Sequence, residues 1–324
     1  MTQQLKNSTP KLRMQGNLLP RIKILGVGGS GSNTISRIAK FNVNGIELIA
    51  LNTDAQSLYF TKVEHKILLG KETTKGLGAG MDVAMGRKAA EESRPEILKF
   101  LEGGDMVFIT SGMGGGTGSG AGPIVAEIAK ELGILTVCVV TTPFSFEGEQ
   151  RNQIAREALK NLEGKTDALL VISNDNLLKV IDEKTTVSSA FEICDDILKQ
   201  AVHGITDLIL GPGIINIDFA SVSSVLKDSG QILFGMGKAQ GENRAVQAAK
   251  KAINSPLLNF SINKAKGVLF NISGQDIALA EIKEAARIIT EHVDEKAKII
   301  FGATKDNSLK KGEIKITLIA TRHS

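Results

Sequence analysis

Residues 112–120 read GMGGGTGSG, between the strand-like run DMVFIT and the helix-like run GPIVAEIAKELG. Six glycines in nine positions strip side chains from a turn. They leave a row of backbone N–H groups leading into a helix start, which is a receptor for phosphate oxygens. Thr117 and Ser119 add hydroxyl donors. A flexible linker would not be framed by a buried strand and a helix opened by Pro123. The loop is therefore predicted to bind an anion, and that anion to belong to a nucleotide.

Two more glycine clusters point the same way. GVGGSGSN (Gly26 to Asn33) ends the first apolar run, and Gly26, Gly28 and Gly31 fit GxGxxG. That fingerprint alone leaves a Rossmann-type NAD-dependent oxidoreductase open. Against it, no isolated acid closes a second strand; LNTDAQSL supplies Asn52, Thr53, Asp54 and Gln56 instead. The third cluster, KGLGAGMD with Gly78, precedes one expected helix, VAMGRKAAEESRPEILKFL. GxxxxGK[ST] does not occur, which excludes a P-loop.

Two segments suit a sugar and a base. TTPFSFEGEQR sets Glu147 and Arg151 at i, i+4 on an expected helix start, so their heads can meet over one ligand edge. An ordinary exposed ion pair is the competing reading. Phe191 and Asp195 share a face of a longer helix, with a core Phe and an exposed Asp as the alternative. A flat ring beside a carboxylate suits a purine offering adjacent N–H and amino donors, which is guanine rather than adenine. Asn174, at the strand end ISNDN, is a third candidate reader.

These groups need a frame. IKILGVG, GIELIALN, HKILLG, DMVFIT, ILTVCVVT and ALLVIS are near-continuous apolar runs alternating with helical patterns. Such strands are buried on both faces, as in a parallel sheet wrapped by helices. A long helix follows over about 188–210, and then KGVLFNIS, a helix ALAEIKEAARIITEHV, AKIIFGAT and EIKITLIAT suggest a second, mixed α/β sheet. The expected layout is a basic arm without fixed structure over 1–20, a nucleotide-binding domain over 21–185, a central helix over 186–210 and a smaller α/β domain over 211–324.

Composition narrows the class. The 324 residues carry a net charge of +4, of which residues 1–24 contribute five cations and no acid. No apolar run reaches the ~20 residues of a membrane span, and no basic-then-apolar leader opens the chain. Cys138 and Cys194 lie in apolar or helical runs and read as core thiols of a reduced, cytosolic protein. With one Tyr and no Trp, the chain lacks the aromatic platforms that stack nucleic-acid bases, so no nucleic-acid partner is expected. His65, His203, His292 and His323 are scattered singly, and no catalytic triad or metal-ligand constellation forms in the sequence.

On GGGTGSG (114–120), NTDAQ, PFSFEG, GENRA, SPLL and IIFGA, the chain resembles the tubulin/FtsZ superfamily and, within it, the FtsZ division GTPases, over about residues 20–321. The resemblance implies GTP or GDP as ligand, Mg²⁺ and K⁺ as accompanying ions, and head-to-tail homopolymers in the cytoplasm at the division site. Ring proteins or membrane tethers are implied as further partners. It assigns Gly28, Gly29 and Asn33 to phosphate and base edges and Gly114, Gly115, Gly116, Thr117 and Gly118 to the phosphates. Glu147 and Arg151, beside Pro143, go to the ribose, and Asn174, Phe191 and Asp195 to guanine. Asn52, Asp54 and Gly78 complete the expected nucleotide set.

From Phe191 to the helix end near Leu210 is about 28 Å at 1.5 Å per residue. An acid in GPGIINIDFASV therefore cannot reach its own nucleotide, but it can reach that of the next subunit in a head-to-tail stack. The resemblance makes Asn216, Asp218 and Ser221 the catalytic set acting in trans, with Mg²⁺ carried on GTP, no protein residue assigned as its direct ligand and the next subunit's Asp218 as the candidate beside it. The family usually carries a second acid where this chain has Ser221. A hydroxyl carries no charge, so slow turnover with intact GTP binding is expected. Asp228, seven residues further on, is too distant to substitute. FtsZ also usually continues into a linker and a tether-recruiting peptide, whereas this sequence ends at Ser324. Trimming, or anchoring through the basic arm, would account for that.

Overall fold

Strands buried on both faces demand helices on both sides, and the computed structural model meets that demand. It describes residues 19–41, 45–178, 184–211, 213–255, 262–263 and 265–322. The basic arm, except for residues 19 and 20, lies outside the described residues, as do Pro212, most of SPLL and His323.

Strands β1 (Ile22–Val27), β2 (Ile46–Asn52), β3 (His65–Leu68), β4 (Met106–Gly112), β5 (Leu135–Thr142) and β6 (Ala168–Ser173) are parallel and ordered 3-2-1-4-5-6. Their side chains alternate between two cores, as the two-residue period of a strand requires. Ile22, Ile24, Met106 and Phe108 face one side, with α1 (Gly28–Ile38) and α9 (Val187–Leu210). Leu25, Val27, Val107 and Ile109 face the other, with α4 (Val83–Glu92), α5 (Arg94–Leu101), α6 (Gly116–Glu131) and α7 (Glu149–Leu162). Short helices α2 (Ala55–Phe60), α3 (Lys71–Thr74) and α8 (Asn174–Leu178) fill the connections.

The sheet does not stop at β6. Three residue pairs, Ala168 to Leu170 against Gly230 to Ile232, join β6 to the head of β8 (Gly230–Gln240). β11 (Glu313–Thr321), β9 (Gly267–Gly274), β10 (Lys298–Lys305) and β7 (Gly213–Ile215) extend it to eleven strands, with antiparallel and parallel pairings mixed. α11 (Arg244–Ile253) and α12 (Leu279–Thr290) cover the far part with a third core, and α10 (Phe219–Leu226) packs on the first. No helix of the described residues is long and apolar enough to cross a membrane.

Two helix assignments from the sequence are corrected. The helix after GMGGGTGSG starts at Gly116, not at Pro123, which lies inside it. Glycine costs a helix ~1 kcal/mol relative to alanine, but packing overrides that preference here. A Cβ on Gly116 would sit 2.6 Å from the Asp82 carbonyl oxygen, one on Gly120 would sit 2.3 Å from that of Val83, and one on Gly86 would sit 2.1 Å from that of Gly116. The second correction concerns residues 83–101, which form two helices broken at Ser93 rather than one. Pro95 occupies the first turn of α5, and the Ser93 hydroxyl is turned to accept the Gly70 N–H at 2.9 Å. We predict that Gly86→Ala destabilises the protein by about 1–3 kcal/mol in denaturant unfolding and weakens nucleotide binding, because the added methyl pushes α6 out of place.

Candidate nucleotide-binding site

The chain leaves β1 for α1 on one face of the sheet and leaves the neighbouring β4 for α6 on the other. A crevice must open between their carboxyl ends, the place where open α/β sheets take ligands. Both helices begin there, behind Val27 and Gly115, with no side-chain cap on either. Apart from Gly116, whose N–H donates to Gly80 O at 2.7 Å, their first-turn N–H groups have neither an intrahelical acceptor nor a side-chain cap. The two starts abut, since a Cβ on Gly28 would lie 3.3 Å from the Gly118 nitrogen.

The glycines of the loop divide into two kinds. Gly115 and Gly29 have open space where a Cβ would stand, and Gly114 has φ +101°. These line the crevice. Gly116 and Gly118 are instead packing glycines: the Gly116 N–H donates to Gly80 O at 2.7 Å, and a Cβ on Gly118 would lie 2.4 Å from Gly112 O. The Ser119 hydroxyl turns inward to accept the Gly114 N–H at 2.9 Å, and the Thr117 and Thr53 hydroxyls meet at 2.6 Å.

The sugar-side residues converge. Glu147, in a 3₁₀ turn before Gly148, accepts the Phe144 N–H at 2.9 Å with one oxygen and Arg151 Nη1 at 2.9 Å with the other. The ion pair is real, although Glu147 stands one turn before α7 rather than within it. A Cβ on Gly114 would touch the Arg151 carbonyl oxygen at 3.0 Å and Pro143 Cγ at 3.3 Å, so this group borders the glycine loop. The Phe191 ring, 40% exposed, stands edge-on to buried Phe144 at 5.3 Å. Asp195 lies one turn further along α9, its side chain 13% exposed and 3.5 Å from Arg37 Nε. Burial pushes its carboxyl up to about 6, against the pull of Arg37. Asn174 opens α8 in a buried position, with no partner on its Oδ1 among the protein atoms. An orphaned acceptor there and an uncapped pair of helix starts fit a nucleotide with base donors at one end and phosphates at the other.

Arg37 escaped the sequence reading. The available signal was its spacing, because it follows exposed Asn33 by four residues and so shares its face of α1. Three residues expected to touch the ligand are otherwise engaged. Asn52 donates to Ser57 Oγ at 3.2 Å and accepts the Asp54 N–H, while Asp54 caps α2 by accepting the Ser57 N–H at 3.0 Å. The Gly78 N–H donates to Thr53 O at 3.1 Å. Together they latch the third glycine loop onto the end of β2, beside the start of α6.

The second candidate group sits past the other end of α9. Asp218 caps α10, its Oδ1 accepting the Ser221 N–H at 2.7 Å, and Asn216 Oδ1 accepts the Gly213 N–H at 2.7 Å. Asn216 and Asp218 are exposed. The Ser221 hydroxyl and N–H hold the Asp218 carboxyl below its ordinary value, so it is ionised at neutral pH. Asp228 is held elsewhere, by Lys130 at 2.7 Å. Cys138 and Cys194 are buried, and burial pushes both thiols up to about 12.

Fold and crevice together define a nucleotide-binding protein on a doubly wound sheet. The strand order alone is equally that of a dinucleotide-binding dehydrogenase, so the order leaves that rival standing. Residues 21–182 match the model of the Tubulin/FtsZ family, GTPase domain, and residues 230–323 that of the FtsZ family, C-terminal domain. Among solved structures, an empty FtsZ dimer from M. jannaschii is 42% identical, covers 95% of this chain and 89% of its own, and superposes with a TM-score of 0.90. A mutant FtsZ from M. jannaschii is also 42% identical, with coverages of 94% and 91% and a TM-score of 0.89. A GTPγS-bound CetZ protofilament from Haloferax volcanii shares the fold at 19% identity, covering 94% of each chain with a TM-score of 0.79. The chain belongs to the tubulin/FtsZ family, on its FtsZ side, and with it to the GTP-binding, polymerising proteins of cell division. The oxidoreductase reading is thereby set aside.

Proposed function

We propose that this protein binds GTP in the crevice between α1 and α6, assembles head to tail, and hydrolyses GTP where the Asp218 loop of one subunit meets the nucleotide of the next. The observation that carries this reading is the separation of two incomplete halves. An uncapped phosphate cradle lies at one end of α9, and an exposed, ionised Asp218 lies beyond the other. The proposed division of labour gives residues 21–185 the nucleotide, 186–210 the spacing, and 211–324 the loop that acts on the neighbour.

Within the crevice, Gly28, Gly29, Gly114, Gly115, Thr117 and Gly118 take the phosphates. Glu147 and Arg151 take the ribose, and Phe191, Asn174 and Asp195 take guanine, with Arg37 steadying Asp195. Asn52, Asp54, Gly78 and Gly116 act at one remove, by holding the loops. Among the described residues no three His, Cys, Asp or Glu side chains are grouped to hold a metal ion. Mg²⁺ bound with the nucleotide would offset charge at the phosphates, with K⁺ as a further expected ion. The residues of this chain supply orientation: Asn216 shapes the loop, and Asp218 presents a carboxylate that can align or deprotonate the attacking water. Ser221 lacks the charge of a second acid, so turnover is slow. That same residue supports a second reading, a GTP- or GDP-bound structural polymer with negligible hydrolysis.

Sedimentation with GTP, run in parallel with phosphate release, tests the proposal. Specific activity should be negligible below an assembly threshold and rise above it. Activity already full in dilute monomer would overturn action in trans, and filaments without phosphate release would favour the structural polymer. A cytoplasmic site of action at the division plane, with tethers or ring proteins as partners, follows from the same reading.

A further inference from the structure

Helix α6 ends far from where it begins. Its first turn is the proposed phosphate cradle, and about 21 Å from Gly116, at 1.5 Å per residue, its last turn carries Lys130. Lys130 Nζ donates to Asp228 Oδ1 at 2.7 Å and lies 3.3 Å from Asp167 Oδ1. Asp228 stands just past the carboxyl end of α10, the helix whose amino end is capped by Asp218.

Asp167, only 4% exposed, is the hub of this junction. Its Oδ2 accepts the Thr136 N–H at 2.8 Å, its Oδ1 the Asp228 N–H at 3.4 Å, and its carbonyl the Gly230 N–H at 3.0 Å. It thereby ties the starts of β5 and β6 to the turn between α10 and β8. That turn is strained, since Asp228 has φ +51°, a conformation that non-glycine residues hold only when their surroundings impose it. A cavity of about 300 Å³, bordered by Lys130, Asp167, Phe219, Ser223 and Asp228, lies between this junction and α10. Val222, Val225 and Leu226 seat the helix in the core, but the ion pair fixes its end across that gap.

We infer that Lys130, Asp167 and Asp228 form a positioning cluster that sets where α10 presents Asp218. The inference rests on the reading that Asp218 acts on the next subunit's GTP.

Asp228→Gly is the informative variant, because it removes the carboxylate while glycine adopts φ +51° freely. Lys130→Met removes the other partner, Asp228→Glu restores a carboxylate, and Asp218→Asn serves as the reference for loss of the loop's charge. For each, thermal midpoint, GTP affinity below the assembly threshold, sedimented mass and phosphate release per sedimented subunit are measured. Asp228→Gly and Lys130→Met should lower turnover about tenfold or more, the scale of a misplacement near 1 Å. GTP affinity and sedimentation should stay unchanged, the thermal midpoint of Asp228→Gly should hold, and Asp228→Glu should recover part of the rate. Unchanged turnover in Asp228→Gly while Asp218→Asn is inactive would overturn the inference alone. Losses that merely follow a lower thermal midpoint or reduced sedimentation would also overturn it. Full turnover in Asp218→Asn would sink the trans reading and this inference with it.

Discussion

Asp218→Asn filaments are expected to bind GTP as tightly as the parent and to hydrolyse it about 10²–10⁴-fold more slowly, the range a positioned acid or base contributes. Asparagine is the apt substitution because it caps a helix as well as aspartate does. The Ser221 N–H, 2.7 Å from Asp218 Oδ1, keeps its acceptor, and α10 keeps its start. Only the charge is lost. Alanine would remove the cap as well, and helix fraying would then mix with the chemistry. The complementary change, Ser221→Asp, should raise turnover by adding the second acid, although its charge would stand beside Asp218. Phosphate release per sedimented subunit, with GTP affinity from a filter or fluorescence assay, decides both. A parent already turning over at full rate, with no gain from Ser221→Asp, would show that Ser221 is no bottleneck.

The second large effect belongs to Asp195. Its carboxylate, half-buried against Arg37, can accept both the ring N–H and the amino group of guanine. Asp195→Ala is expected to weaken GTP binding on the order of 10³-fold, since a site built around a ligand's hydrogen bonds discriminates by 10⁴–10⁵ when they are lost. Asp195→Asn should shift preference toward XTP, because the amide can donate to the xanthine 2-oxo group while still accepting the ring N–H. Competition between GTP and XTP on the monomer reads this directly, and unchanged preference would remove Asp195 from the base site.

The same residue gives a pH signature. Burial raises its carboxyl from 3.8 to about 6, the reverse of a salt-bridged acid held down. The folded protein therefore binds this proton more tightly than the unfolded chain does, and ionising Asp195 detracts from stability as pH climbs from about 4 to 6. Guanine binding needs the ionised form, so affinity should fall as pH drops below about 6, with proton release on binding near that pH.

Much of this was legible in the residues. The six apolar runs are β1 to β6, because strands covered on both faces have nowhere to place polar groups. The position of Asp218 at the far end of a long helix followed from counting residues. β8 is not assigned from the sequence, where Gly235 and Gly237 interrupt its apolar run. Gly235 and Gly237 are there so that α11 can lie close, a Cβ on either coming within 2.2 and 2.1 Å of an α11 carbonyl oxygen. That requirement belongs to the helix, more than ten residues away. Asn52 and Asp54 fold the turn at the end of β2, and a polar residue beside such a glycine loop has the same type whether it touches a ligand or folds the turn that does. The glycines of 112–120 carried both meanings at once, and only the packing of α4 on α6 separates them.

With the phosphate cradle and Asp218 at opposite ends of α9, every filament on this reading contains one more nucleotide than it has complete catalytic centres. The terminal subunit whose crevice faces solvent keeps its GTP, because no neighbour supplies the acid. A pair of subunits thus works at one centre and idles at the other, and the idle share shrinks as the chain of subunits lengthens. Turnover per subunit then becomes a ruler for mean filament length, and the two tips are chemically distinct, one of them always holding unhydrolysed GTP.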